Sequence, residues 1–104
     1  TCRNTGADEN AYLDAVPMEF VREIHLAGHT VTQIEGREIR IDDHASAVSD
    51  PVWRLYERAM ARGMRAPSLV EWDKNLPPLD ILIGEARKAE ALARNPEAYH
   101  ARAA

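Results

Sequence analysis

Three short stretches of this chain combine side chains that can bind metal ions or move protons with positions where a strand would end. The first is His25-Leu26-Ala27-Gly28-His29. In an extended segment Ile24 and Leu26 share one face, and His25 points to the other. His29 follows the glycine, just past the strand's C-terminal end, which is the end that carries the site in parallel α/β folds and barrels. On a helix this spacing would make one metal pair; on a strand broken by Gly28 it makes two ligands at different depths. A strand histidine can also be a hydrogen-bonded core residue. The second stretch is Asp42-Asp43-His44, where Asp-x-His puts a carboxylate and an imidazole on one side of an extended segment. That pair is a two-ligand unit for iron, manganese or zinc. The bland alternative makes the aspartates loop caps and His44 a solvated side chain. The third is Glu71 in Leu69-Val70-Glu71-Trp72-Asp73. A carboxylate in an apolar strand is costly to bury unless paired or bound to a cation. A salt bridge to Arg54 or Arg65 would satisfy it without any function.

Taken together, these stretches offer nitrogen and oxygen ligands and no thiolate. That mixture suits iron or manganese better than a structural zinc site, which favours cysteine. Other constellations are absent: there is no Gly-rich phosphate loop and no G-x-S-x-G elbow. Cys2 lies near the N-terminus with no evident base, and Trp53 and Trp72 lack the basic surroundings of a base-stacking platform.

The elements that must position these residues are readable from periodicity. Residues 1–9 read as an arriving loop, and Asp8-Glu9-Asn10 lead into a short helix stopped by Pro17. Phe20 to Leu26 alternates and is rich in β-branched residues, so a strand is expected there, ended by Gly28. Residues 30–41 read as an irregular loop or a small hairpin turning at Glu35-Gly36. Ser49-Asp50-Pro51 is a helix start, with a capping side chain and proline in the first turn. Val52, Leu55, Tyr56 and Ala59 share one face of that helix, and Gly63 sits at its C-terminal cap. SLVEWD after Pro67 reads as a strand. Leu76-Pro77-Pro78 opens a second helix with Leu79, Leu82, Ile83, Ala86 and Leu92 on its apolar face, stopped at Asn95-Pro96. Residues 95–104 form a tail, with EAYHARAA expected as a frayed helix.

The resulting order, strand–loop–helix–strand–helix, is the rhythm of a parallel α/β sheet. Two such strands cannot cover both faces of their sheet. The chain is therefore expected to be part of something larger, or to complete its sheet in trans.

The chain has 104 residues, 45% of them hydrophobic, which allows one small domain. Thirteen Lys+Arg against seventeen Asp+Glu leave a net charge of −4. No basic stripe is available for a nucleic-acid partner. No apolar run reaches a membrane span, and no segment has the order of a signal peptide. One cysteine cannot make an intrachain disulfide. A cytoplasmic location is expected.

The stretches YLDAVPMEFVREIHLAGHT, IDDHASAVSDPVWRLYERAM and PSLVEWDKNLPPLDILIGEARKAEAL resemble the C-terminal part of the multinuclear non-heme iron-dependent oxidases, the family of the methanobactin biosynthesis oxidase. EIHLAGH, Asp-x-His followed by DPVW, and EWD followed by a Pro-Pro helix stand in the family's order over residues 10–94. The resemblance implies a (β/α)8 TIM barrel of the xylose-isomerase-like kind, with two or three iron ions at the C-terminal ends of its strands. It also implies dioxygen-dependent modification of cysteine or other residues in ribosomally made precursor peptides, a reaction of natural product biosynthesis. A separate partner protein often delivers the peptide. Carried over by motif, His29, Asp42, His44 and Glu71 match ligand positions, and His25 lies within the motif as a direct ligand or just behind one. Where the family commonly reads D-T-H-D, this chain has Asp43 and Ala45, so no role of the second carboxylate carries over.

Such a barrel needs about 250 residues. The chain is expected to be a C-terminal fragment, inactive by itself, whose remaining ligands lie upstream in the rest of the barrel, in cis or in trans. Two other readings stand beside this one. The same barrel type also serves divalent-metal isomerases and hydrolases, with manganese or zinc in place of iron. A non-catalytic remnant could instead act by association through its exposed sheet edges.

Overall fold

The computed structural model describes residues 1–95. Helix α1 (Cys2–Thr5) and helix α2 (Glu9–Ala15) come first, then a 3-10 turn over Met18–Phe20 and strand β1 (Ile24–Ala27). Strands β2 (Thr30–Ile34) and β3 (Arg37–Ile41) follow, then helix α3 (Asp50–Ala61), strand β4 (Ser68–Glu71) and helix α4 (Leu79–Arg94). The chain is α/β: β1 and β4 pair in parallel across α3, and β2 and β3 form a separate antiparallel sheet.

Four expectations need correction. The N-terminal segment is not a plain loop, since α1 makes one helical turn closed by Gly6 in the left-handed conformation at φ 78°. Strand β1 begins at Ile24 rather than Phe20. Its ladder opens with the Ile24 N–H donating to the Pro67 carbonyl at 3.0 Å, and proline has no N–H with which to return a bond. Helix α3 starts at the expected place, but the Ser49 hydroxyl caps no backbone N–H. In α4 the buried positions are Ala89 and Leu92, while Leu79 and Ile83 remain exposed. Leu82 is half-buried on the same inward stripe, which also includes Glu85, whose carboxylate accepts from the Val48 N–H at 3.0 Å. The expected tail helix lies outside the described residues.

The segment between β1 and α3 resolves as a hairpin. Glu35 and Gly36 both take positive φ, 51° and 76°, the I′-type turn whose twist matches two paired strands. Asn4 holds the outer edge of β3: its side-chain nitrogen donates to the Arg40 carbonyl and its oxygen accepts from the Arg40 N–H, both at 2.8 Å.

Leu26 and Val70 lie on the inner face of the parallel pair, toward Trp53, Tyr56, Ala59 and Met60 of α3, then Met64, Ala89 and Leu92. Trp53 is fully buried and meets Tyr56 edge-on at 6.2 Å. This core fixes which strand face is dry. His25 and Glu71 are left on the opposite face, Glu71 at the C-terminal end of β4.

Gly28 is needed for that arrangement. A Cβ there would collide with the Ser46 side chain and the Ser46 and Ala47 carbonyls, so the chain after His44 can cross the end of β1 only over a glycine. Gly28→Ala should destabilise the protein by about 1–3 kcal/mol through overpacking against backbone. Chemical denaturation would read this, and an unchanged midpoint would contradict it.

Candidate metal and peptide site

Parallel register explains how Glu71 meets two histidines. Ala27 pairs with Glu71 and His25 with Leu69, and side chains two apart share a face. Glu71 and His25 therefore stand diagonally on one face, with His25 Nδ1 2.8 Å from Glu71 Oε1. The other ring nitrogen of His25, Nε2, lies 2.8 Å from Glu23 Oε1.

His44 arrives from the opposite side. Its backbone is in the left-handed region at φ 51°, a strained position for a non-glycine residue. The loop after β4 holds it there: the Asp73 N–H donates to the His44 carbonyl at 2.7 Å, and the Lys74 N–H approaches the same oxygen at 3.4 Å. From this anchor His44 Nδ1 lies 3.2 Å from Glu71 Oε2 and 3.1 Å from Asp73 Oδ2, while Nε2 lies 2.9 Å from Asp42 Oδ1. The Glu71 carboxylate thus stands between two imidazoles, and neither Arg54 nor Arg65 pairs with it.

His29 lines the same cleft but has a different neighbour. Its Nε2 is 2.7 Å from Arg40 Nη1, and Arg40 also reaches Glu38 at 3.1 Å. Asp43 does not join the cluster; it accepts from the Thr30 hydroxyl, which lowers its carboxyl below the ordinary range. His25, His29, Arg40, Asp42, His44 and Glu71 share a cleft of about 750 Å³, walled on the other side by Cys2, Arg3, Tyr12 and Leu13 and by Pro51, Val52 and Leu55 of α3. That volume lies within the usual range for small-molecule and cofactor sites.

The sequence-derived residues thus divide. His25, Asp42, His44 and Glu71 form one chain of contacts, and His29 faces a guanidinium across the hairpin. Among the described residues no group of three or more His, Cys, Asp or Glu side chains is arranged to hold a metal ion. Sequence reasoning missed Glu23, Asp73 and Arg40 as members of the site. Glu23 and Asp73 carry a period-two signal, each two residues from a residue already singled out and just outside its strand. Arg40 carries none, because only the hairpin brings it to His29.

The two cleft histidines titrate in opposite directions. His44 is raised above its ordinary 6.5, first by the hydrogen bond to Asp73 and then by the charges of Asp42 and Glu71, against partial burial. His29 is lowered, first by burial and then by the Arg40 charge, which outweigh Asp43 and Asp42. For His44 the linked stabilisation is complete below about 6.5 and is lost as pH rises through the higher folded value. For His29 stability is withdrawn as pH falls below about 6.5 toward the lower folded value. In the metal-free protein, an NMR titration should find the His44 midpoint above that of His29. Asp73→Asn should lower the first and leave the second in place. Coincident midpoints would contradict this electrostatic picture.

No helix among the described residues is long and apolar enough to cross a membrane. No solved structure matches the chain. Sequence relatives are plentiful. A UPF0276 protein of Vibrio vulnificus (strain YJ016) is 48% identical over 91 residues, covering 88% of this chain and 31% of the relative. One from Vibrio parahaemolyticus is 44% identical over 89 residues, covering 86% and 31%. One from Caulobacter vibrioides is 46% identical over 88 residues, covering 85% and 30%. The chain therefore spans less than a third of the length of these relatives. The family model described as RiPP precursor modification enzyme MbnB/TglH/ChrH matches residues 1–94, and with nine-tenths of its length so matched the chain belongs to that family.

Proposed function

We propose that this chain is the C-terminal portion of an iron- and dioxygen-dependent oxidase that modifies ribosomally made precursor peptides, often at cysteine. Its complete form would be a (β/α)8 barrel. The observation that carries this reading is the Glu71 carboxylate between His25 and His44, at the C-terminal ends of a parallel strand pair, in a chain of this family. Active sites of such barrels are built at that end of the strands.

The donor set fits an iron ion in chemistry. Imidazole and carboxylate groups are present, and no thiolate lines the strand ends. Asp42, His44, Glu71 and His29 would each offer a donor, and ligands from upstream strands would have to complete the set. When bound, iron would supply the redox chemistry that passes electrons from the peptide to dioxygen. Manganese or zinc would suit the same donors in a barrel of isomerase or hydrolase type, and dependence on dioxygen separates the two readings.

The chain's own residues have three tasks. Asp73 and Lys74 anchor the His44 backbone, so that its ring meets Glu71 without a search for geometry. Val52, Leu55 and Leu13 form an apolar wall that limits water in the cleft. Arg40 places a fixed positive charge beside His29, available to an anionic group of a peptide. A precursor peptide and a protein that delivers it are the partners this reading requires. The exposed Leu79 and Ile83 of α4 are surfaces for the remainder of the barrel.

The test uses the full-length protein with its precursor peptide, under air and under argon. A dioxygen-dependent mass change in the peptide is expected, reduced at least about 100-fold by Glu71→Gln, as for loss of a metal ligand or its close support. Turnover that ignores dioxygen would favour the isomerase or hydrolase reading.

A further inference from the structure

We propose that the outer edge of β2 binds the precursor peptide as an added antiparallel strand. The inference rests on the peptide-modifying function above and on the hairpin alone, not on a metal ion. The hairpin's hydrogen bonds show which backbone groups are spare. Opposed residues of an antiparallel pair alternate between those that bond one another and those whose N–H and C=O point outward. Arg40 is of the second kind, because both its backbone groups bond the Asn4 side chain at 2.8 Å. Val31, opposite Arg40, therefore faces outward too, and so does Gln33, opposite Glu38. The backbone N–H and C=O of Val31 and Gln33 have no partner among the described residues.

The two edges of the hairpin differ. On β3, α1 packs alongside, and Asn4 fills the bonding positions at Arg40. Arg37, Glu38 and Arg40 add charge to that strand. Charge, proline and bulges are the usual protection of an open strand edge. Strand β2, Thr30-Val31-Thr32-Gln33-Ile34, has no charged residue and no proline, and its pairing with β3 runs without a bulge. All its residues but Gln33 are β-branched, which suits strand pairing. One edge is guarded and the other is open.

Position and direction select a peptide as the added strand. Thr30 follows His29, and Arg40, opposite Val31, lines the cleft together with His29. Because β2 runs away from the cleft, an antiparallel strand on its edge runs toward the cleft and passes its next residues there. Further barrel strands would extend the separate β1–β4 sheet and leave β2 open. The proposed function already requires an extended peptide. Its residue opposite Thr32 joins the face of Thr32, Ile34, Ile39 and Ile41, of which Ile34 and Ile41 are about half exposed. The edge therefore takes an extended segment with an apolar side chain at that position, flanked by residues that bond through their backbone.

The experiment uses the full-length protein and short synthetic segments of its precursor peptide. Residue-resolved hydrogen exchange should find the Val31 and Gln33 amides fast without peptide and slowed by it. Gln33→Pro removes an outward N–H without removing a rung of the hairpin, and should weaken peptide binding about 10-fold. Backbone N-methylation of the bound segment, one residue at a time, should give an alternating result. Affinity should fall at the residues opposite Val31 and Gln33 and hold at the residue between them. Should the proline variant fail to fold, the methylation series decides alone. A series without that two-residue period overturns the proposal. So do Val31 and Gln33 amides that are already slow without peptide, because the rest of the full-length chain then covers the edge. A peptide still oxidised in either case leaves the oxidase reading intact. A peptide neither bound nor oxidised overturns both.

Discussion

A carboxylate set among apolar residues near the end of a strand has to be compensated, and in this chain that requirement organises the site. Glu71 follows Leu69 and Val70 in β4 and keeps only 21% of its side chain exposed. Two imidazoles meet it, from β1 and from the loop before α3. Each contact needs its own support. The parallel register places His25 diagonally below Glu71, and two backbone N–H groups from the loop after β4 pin His44. Shifting β4 by one residue would turn Glu71 into the core beside Leu26 and bring Val70 to the cleft. The hydrophobic pattern and the polar cluster therefore specify the same register.

The packing on the other side of the strands is lopsided. Leu26 and Val70 sit against α3 and α4, yet Leu79, Ile81 and Ile83 of α4 and Leu69 of β4 stay in contact with solvent. A two-stranded parallel pair leaves both outer edges unpaired, and such sheets are normally covered on both faces. The relatives supply a reason, since they are about three times as long as the stretch they share with this chain. The proposed barrel would add βα units over surfaces that are exposed here.

Much of this was legible in the sequence wherever one local rule decided the outcome. Proline at the start of α3, glycine after its end and the Glu-Gly turn are local signals; α3 formed where expected, and of the two alternatives for residues 30–41 the hairpin formed. Periodicity failed where a partner decided. Phe20 to Glu23 alternates like a strand, but the opposing chain offers a proline at that level, and β1 shortens to four residues. The stripe read for α4 held at Leu82 and Leu92, whereas Leu79, Ile83 and Ala86 face away from the core. At the site, Glu71 and the histidines stood out because their types are rare inside apolar strands. The neighbours that tune them, Arg40 above all, were invisible because a hairpin fold brings together residues that share no local pattern.

The central claim is that the cluster around Glu71 belongs to a metal centre which this chain only partly builds. Iron per chain, measured after anaerobic reconstitution of this chain and of an upstream-extended protein, tests it most directly. The account predicts two or three ions in the extended protein and far fewer in the 104-residue chain. An extended protein without iron would contradict it, and the Glu71 cluster would then be a hydrogen-bonded strut of the fold.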